Sequence, residues 1–193
     1  ATIGRGAMSN PLSDMTLPDV IFCIGTNMTE CHPVAATGIK KAVASGAKLI
    51  VADPRRVHLA EIGDLYLPLR VGTDVALLLG MAHVIARDGL VDREFVAART
   101  SGYEELAAHV RAFTPEWAEG ISGVAAGKIR SLATEYAKNS PGALAISYRG
   151  AVMHYNGVQA ERALMTLQAL CGNIDVPGGN CQAVGAKWKV PFK

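Results

Sequence analysis

Several features that mark particular protein classes are scarce in this sequence. Aromatic residues make up 6% of the 193 residues, and the formal net charge is only +2. The basic residues are dispersed, with no cluster interleaved with aromatics, so the chain lacks the typical surface of a nucleic-acid-binding protein. No apolar run approaches the roughly 18 residues that a membrane-spanning helix needs. We therefore expect no nucleic-acid partner and no direct membrane insertion.

Cysteine and histidine are also too sparse for a metal site or a disulfide framework. The four cysteines show no CxxC spacing, and no histidine has a second ligand at metal spacing. Cys23 lies in an apolar run and Cys171 ends a helical pattern, so we expect both to be packed in the core. Cys31 and Cys181 fall in predicted loops and could line a site. We assign no metal ligand to this chain.

The two ends of the chain lack the marks of a complete protein. There is no initiator methionine, and no basic segment followed by an apolar one as in a signal peptide. The last residues, AVGAKWKVPFK, stop without a finished element. We expect a piece of a longer protein with truncated termini. Its location stays unknown, with a prokaryotic periplasm and cytoplasm both open.

What the sequence does contain is a βαβ unit between Asp19 and Arg56. An apolar run, 20–24, ends at Gly25 and a polar loop, a helical pattern follows from about Pro33 to Ser45, and a second apolar run ends in Asp53. Fully apolar strands are typical of parallel sheets covered on both faces. Such units hold nucleotides at the carboxyl ends of their strands.

The remaining pattern extends this unit to an α/β fold. Further strands are predicted at 64–70, where Pro68 indicates an edge strand, and at 143–148. Helices are predicted at 12–17, 57–62, 73–87, 92–98, 103–113, 115–119, 122–138 and 157–171, with Thr73 and Ser122 as caps. We predict a Rossmann-like three-layer parallel sheet with helices on both faces. Residues 1–193 form one domain in this interpretation, and 88–138 are a helical insertion that covers the sheet.

Four predicted strand ends carry small or polar residues toward one edge of the sheet. They are Gly25–Asn27, Asp53–Arg56, Arg70–Asp74 and Arg149–Gly150. Acids and asparagine can bind hydroxyls or base edges, and arginine can bind phosphate. The dinucleotide motif GxGxxG is absent, because the first loop is GTNMTE, so a plain nicotinamide site is disfavoured. The pattern indicates a ligand site with no reaction centre of its own.

Plainer interpretations of these residues remain open. Asp53 and Arg55 could form only a turn and a helix cap, and His32 could be an ordinary first residue of a helix. His154 and Tyr155, just past a strand end, could line a site or simply lie in a loop. No nucleophile and base stand at a defensible spacing, so the catalytic residues are unknown.

Eight motifs in order resemble the molybdopterin oxidoreductase family, of the dimethyl sulfoxide reductase and formate dehydrogenase type. They are GRGAMSN, GTNMTECHP, GAKLIVADPRR, LRVGTDVALLLGM, FVAARTSGYEEL, FTPEWAEGISGV, YRGAVMHYNG and LCGNIDVPGG. The resemblance covers nearly the whole chain. It implies the α/β domain that holds one guanosine end of a bis-molybdopterin guanine dinucleotide carrying molybdenum or tungsten.

The resemblance also implies which residues contact that cofactor. By position they are Gly25, Thr26, Asn27, Glu30, Cys31, Asp53, Arg55, Gly72, Thr73, Asp74, Gly150 and Met153. Arg149, Gly150 and Met153 would lie nearer the pterin and the substrate pocket, with Arg149 and His154 as candidate pocket-lining residues. The sequence at Arg149–Gly150 and in GNIDVPGGN is more similar to polysulfide or thiosulfate reductase and acetylene hydratase than to formate dehydrogenase.

Other parts of such an enzyme would lie outside this chain. A 4Fe–4S cluster and the residue that ligates the metal would precede it, and a second cofactor-binding domain would follow. The implied partners are the remaining domains of the catalytic subunit and an iron–sulfur electron-transfer subunit, and the segment alone would be inactive. Two alternatives stay open: a cofactor-less homologue like the large subunit of respiratory complex I, and a stand-alone nucleotide-binding module.

Overall fold

A computed structural model describes residues 11–180 of the chain. Cys181 and the motif GRGAMSN therefore lie outside the described residues. Within residues 11–180 no helix is both long and apolar enough to cross a bilayer.

The centre of the fold is a parallel sheet of four strands. These are β1 (Val20–Ile24), β2 (Lys48–Ala52), β3 (Leu65–Leu67) and β4 (Ala143–Ser147), in the order β3-β2-β1-β4. Every neighbouring pair is parallel. This order is that of a doubly wound sheet, so the predicted Rossmann-like α/β fold is confirmed. Strand β3 lies at an edge, as Pro68 predicts.

Helices connect the strands, and the longer helices follow one another along the chain as predicted. A 3-10 helix at Leu12–Thr16 precedes β1, and the α-helices are α1 (Met28–Cys31), α2 (Pro33–Ala44), α3 (His58–Ile62), α4 (Asp74–Arg87), α5 (Arg93–Arg99), α6 (Tyr103–Val110), α7 (Pro115–Ser122), α8 (Ala126–Lys138), α9 (Arg149–Val152) and α10 (Gly157–Leu170). Gly46, with φ of 103°, follows the end of α2 as the predicted terminator.

The strands bury alternate side chains on the two faces of the sheet. Phe22 and Ile24 belong to one apolar cluster with residues of α4, α8 and α10, whereas Ile21 and Cys23 belong to a second cluster with residues of α2 and α3. The period of two along a strand produces this division. Helices therefore cover both faces, and Cys23 is a core residue, as is the buried Cys171.

Residues 88–138 add to the first of these clusters. Val96, Val110 and Ala118 of α5, α6 and α7 are buried in the same core as Phe22. Helices α7 and α8 pack mainly against α4. This packing supports our interpretation of the block as an insertion covering the sheet within one domain, which remains a proposal.

Several predicted boundaries differ from the structure. Ser122 does not cap the following helix: it is the last residue of α7 and its buried hydroxyl donates to the carbonyl of Ala118 at 2.7 Å. Helix α8 begins only at Ala126, whose N–H donates to Glu119 Oε2 at 2.9 Å. Strand β3 is shorter than predicted because Pro68 has no N–H to continue the ladder.

Short helices also occupy two segments that we predicted as polar loops. Helix α1 forms within the loop after β1, and α9 forms directly after β4. Both have four residues, too few for a hydrophobic period to mark them in the sequence.

Candidate functional site

The topological switch point of the sheet lies between β1 and β4. These strands are neighbours, but the chain passes through β2 and β3 before it reaches β4. The carbonyl of Gly25 accepts a hydrogen bond from the N–H of Gly150 at 2.9 Å. A Cβ added to Gly150 would stand 2.5 Å from the Gly25 oxygen, and one added to Gly25 would stand 2.4 Å from the backbone N of Ala151. Only glycine allows the two backbones to meet at this crevice, where doubly wound folds bind ligands.

The loop after β1 places two polar residues inside the crevice. Thr26 and Asn27 are buried, and Asn27 Oδ1 accepts a hydrogen bond from Thr29 Oγ1 at 3.0 Å. Glu30 and Cys31 follow on α1 and are exposed. Of the four residues after Gly25 that we predicted to contact the cofactor from this loop, two are therefore buried and two are exposed.

The end of β2 carries a buried acid. Asp53 is 6% exposed, and its Oδ1 accepts a hydrogen bond from the backbone N–H of Arg55 at 2.8 Å. Burial raises the pKa of Asp53, which the bond from Arg55 and the charge of its guanidinium partly offset. The guanidinium itself is exposed, so it is free to face a ligand. Asp53 does form the turn with Arg55 that the plainer interpretation predicts, and its side chain is buried there.

A second buried acid begins α4. Asp74 is 5% exposed, and burial raises its pKa. Its own backbone N–H and the charge of His154 lower the pKa, whereas the charge of Asp53 raises it. The structure therefore brings Asp53, Asp74 and His154 close enough to interact electrostatically. Among residues 11–180 neither acid forms an ion pair.

The neighbours of Asp74 in the β3–α4 loop have backbone roles. Gly72 has φ of 78°, a conformation that favours glycine. Thr73 occupies the N-cap position, as predicted, but its hydroxyl donates to the carbonyl of Arg70 at 2.5 Å and does not cap α4.

Arg70 is directed away from the crevice, contrary to its predicted place among the ligand-facing residues. Its Nη1 donates to the carbonyls of Gly120 and Ile121 at 2.9 and 3.0 Å. These carbonyls belong to the last turn of α7, where a cation is favourable. Arg70 thus holds the insertion against the sheet through Nη1.

The segment after β4 forms the other wall of the crevice. Arg149 is exposed and lies 5.9 Å over the ring of Tyr148, which packs edge-on against His32 at 5.0 Å. Met153 and Tyr155 are exposed, whereas His154 is half-buried.

Asn156 is a site residue that the sequence pattern did not identify. Its Nδ2 donates to the carbonyl of Gly72 at 3.3 Å, across 84 positions of sequence. No local spacing could have signalled that contact, since it joins the connections that follow two different strands.

Histidines outside the crevice have ordinary partners. His83 Nδ1 lies 3.0 Å from the carbonyl of Val110, and His58 lies 3.2 Å from Glu61. Residues 11–180 contain no group of three or more histidine, cysteine or acidic side chains placed to hold a metal ion.

Comparison with known proteins shows which family this chain belongs to. The sequence model described as "Molybdopterin oxidoreductase" matches residues 2–186. The chain belongs to the molybdopterin oxidoreductase family. It is 40% identical over 176 residues to formate dehydrogenase H of Escherichia coli, covering 91% of this chain and 24% of that protein. The predicted resemblance is thereby confirmed.

Other relatives in the family include a second formate dehydrogenase and an acetylene hydratase. The chain is 42% identical to the F420-dependent formate dehydrogenase 1 subunit alpha of Methanococcus maripaludis over 176 residues, covering 91% of this chain and 26% of that protein. The structure matches acetylene hydratase from Pelobacter acetylenicus with a TM-score of 0.81 and 37% identity, covering 89% of this chain and 23% of that one. The chain is similarly identical to the formate dehydrogenases and to acetylene hydratase. The predicted greater similarity to acetylene hydratase therefore stays a prediction.

The matched relatives are much longer than this chain. The chain spans about a quarter of the length of each of these three proteins. The activities of these relatives therefore belong to proteins several times as long as this chain.

Proposed function

We propose that this chain is the cofactor-binding domain of a molybdenum or tungsten oxidoreductase and holds one guanosine end of a bis-molybdopterin guanine dinucleotide. The observation that carries the proposal is the pair of buried acids, Asp53 and Asp74, at neighbouring strand ends without an ion pair among residues 11–180. Burying a carboxylate is costly unless hydrogen-bond donors reach it. The N–H of Arg55 reaches Asp53 and the N–H of Asp74 reaches its own carboxylate, and a ligand rich in donors can add to them.

Guanosine fits the chemistry of this donor and acceptor set. An ionised carboxylate only accepts hydrogen bonds, and guanine presents N1–H and N2–H donors side by side while ribose adds hydroxyls. Asp53 and Asp74 are suited to these groups. Thr26 and Asn27 are buried in the same crevice and can supply both donors and acceptors.

The remaining site residues suit the rest of the dinucleotide. The exposed guanidinium of Arg55 can bind a phosphate in bidentate fashion. Gly25 and Gly150 let the ends of β1 and β4 come together beneath the proposed site, which Gly72, Thr73, Glu30 and Cys31 border. Arg149, Met153 and His154 lie after β4, on the side that we assign to the pterin and the substrate pocket.

The whole enzyme would add the parts that this domain lacks. When bound, the cofactor supplies a molybdenum or tungsten centre that exchanges two electrons with a small substrate such as formate, polysulfide or thiosulfate. We assign the residue that ligates the metal, a 4Fe–4S cluster and the second cofactor-binding domain to other parts of the same subunit. An iron–sulfur electron-transfer subunit would complete the complex, and the isolated segment would be inactive.

The proposal can be tested by measuring cofactor content in the full-length protein. Asp53→Asn and Asp74→Asn keep the shape of each side chain but remove its charge, and Arg55→Ala removes the phosphate contact. We expect each variant to retain less metal, pterin and guanine nucleotide per polypeptide, by about tenfold for a lost charge-assisted hydrogen bond. Circular dichroism should show an unchanged fold.

The matched control is Asp19→Asn, which changes an exposed acid at the opposite end of β1. It should retain the wild-type content. Full occupancy in all three site variants would contradict the proposed site. A wild-type protein without metal or pterin would favour the cofactor-less homologue, and tight binding of a free nucleotide without pterin would favour the stand-alone module.

A further inference from the structure

Two connections on opposite edges of the sheet meet across the crevice. Strands β3 and β4 are the edge strands, separated by β2 and β1. Nevertheless Asn156, in the turn between α9 and α10, donates from Nδ2 to the carbonyl of Gly72 in the β3–α4 loop. The distance is 3.3 Å and the pair is partly buried. This bond closes the side of the crevice that the sheet leaves open.

The side chain of Asn156 makes this contact in place of the local one expected for its position. Asn156 is the N-cap residue of α10, and asparagine is a favoured N-cap because its side chain accepts from the first turn. No such side-chain bond is present, and only its backbone carbonyl accepts, from the N–H groups of Gln159 and Ala160. The amide therefore serves the neighbouring loop and not its own helix.

The turn that carries Asn156 is tightly fixed on its other side. A Cβ added to Gly157 would stand 1.9 Å from the carbonyl oxygen of Val152, so only glycine fits where α10 begins over α9. The N–H of Gly157 also donates to the carbonyl of His154 at 3.0 Å. Because the turn is fixed, the bond from Asn156 also sets where the neighbouring residues of the turn lie.

His154 is the neighbour that this arrangement places in the site. A Cβ added to Gly72 would stand 3.9 Å from His154 Nδ1, so the imidazole lies against the loop that leads into α4. Asp74 follows this loop at the start of α4. Burial raises the pKa of its carboxyl, and its own backbone N–H and the charge of His154 partly offset that rise.

We propose that Asn156 is a positioning residue that clamps the α9–α10 turn to the β3–α4 loop, and thereby holds the turn that carries His154 at a fixed distance from the loop that leads to Asp74. The role of the clamp at a guanosine site rests on the proposed function, but the clamp itself does not. It makes the guanosine site depend on the segment after β4, which also carries Arg149 and Met153.

The test compares Asn156→Asp with Gln159→Glu in the full-length protein. Aspartate is as good an N-cap as asparagine, so α10 is preserved, but an ionised aspartate cannot donate to the Gly72 carbonyl. Gln159→Glu makes the same amide-to-acid change three residues later, on an exposed side chain. Both variants add one negative charge, but only Asn156→Asp removes the donor to the Gly72 carbonyl.

Hydrogen exchange tests the clamp without reference to any cofactor. Loss of a neutral hydrogen bond should raise amide exchange at residues 71–74 by about three- to tenfold in Asn156→Asp, with wild-type rates in Gln159→Glu. Equal exchange in the two variants would overturn the clamp.

Retention of guanine nucleotide tests whether the clamp matters to the proposed site. If the spacing of the two connections is important there, Asn156→Asp should retain about three- to tenfold less nucleotide than the wild type and Gln159→Glu. Equal retention in the two variants would overturn this role of the clamp. If Asp74→Asn has no effect, the proposed function has failed, and the exchange experiment still decides the clamp.

Discussion

Replacing Gly150 with alanine tests whether the two backbones at the switch point must touch. Gly150 lies in α9 and is not among the residues of positive φ. In an open helical position the change would stabilise the protein by about 0.5–1 kcal/mol, because alanine has the better helix propensity. Any destabilisation must therefore come from the added methyl group.

The contacts of that methyl group set the magnitude. It would stand 2.5 Å from the oxygen, 2.7 Å from the Cα and 2.8 Å from the carbonyl carbon of Gly25. All three are backbone atoms, which cannot rotate away as a side chain can. Overpacking of this kind costs about 1–3 kcal/mol, and the hydrogen bond from Gly150 to Gly25 must lengthen as well.

The assay is urea unfolding of Gly150→Ala beside Gly127→Ala. Gly127 lies in α8, and a Cβ added to it meets nothing within 4 Å. We expect Gly127→Ala to be more stable than the wild type, and Gly150→Ala to be less stable and to retain less cofactor. If both variants are stabilised alike, the close approach of β1 and β4 is not a real constraint.

Three further perturbations have effects that the structure predicts. Arg70→Met should cost about 1–3 kcal/mol of stability in urea unfolding, since two charged hydrogen bonds to the carbonyls of Gly120 and Ile121 are lost; a loss of cofactor at unchanged stability would instead place Arg70 in the site. Gln168→Met should raise stability by about 1–3 kcal/mol, because neither polar atom of this fully buried side chain has a hydrogen-bond partner among residues 11–180; a less stable variant would mean that the amide is satisfied. In the cofactor-free protein, Asp74→Asn should melt higher than the wild type at neutral pH, because burial raises the pKa of the folded acid and its ionised form opposes folding. That advantage should shrink as the pH falls through the pKa of the folded acid, where the wild-type acid becomes neutral; an advantage that grows on acidification would refute the sign.

The central strands were predictable because a strand that is buried on both faces is a continuous apolar run in the sequence. β1 and β2 are continuous apolar runs, and the structure buries alternate residues of β1 in two different clusters. The polar residues at the strand ends were predictable for the same reason, since parallel strands end at one edge.

The closure of the site was not predictable, because it depends on contacts between distant segments. Asn156 donates to a carbonyl 84 positions away, and Arg70 turns to the end of α7, 50 positions away. The start of α8 is satisfied by Glu119 and not by Ser122, a choice that depends on the path of the chain between the helices. Local propensity contains none of this information.

The central claim is that the buried acids at this edge hold a guanosine. The most direct measurement is to hydrolyse the purified full-length protein in acid, identify the nucleotide released, and count it against the metal. Our account predicts guanosine monophosphate, two per molybdenum or tungsten, with less of it in Asp53→Asn and Asp74→Asn. Metal and pterin without any guanine nucleotide would contradict it.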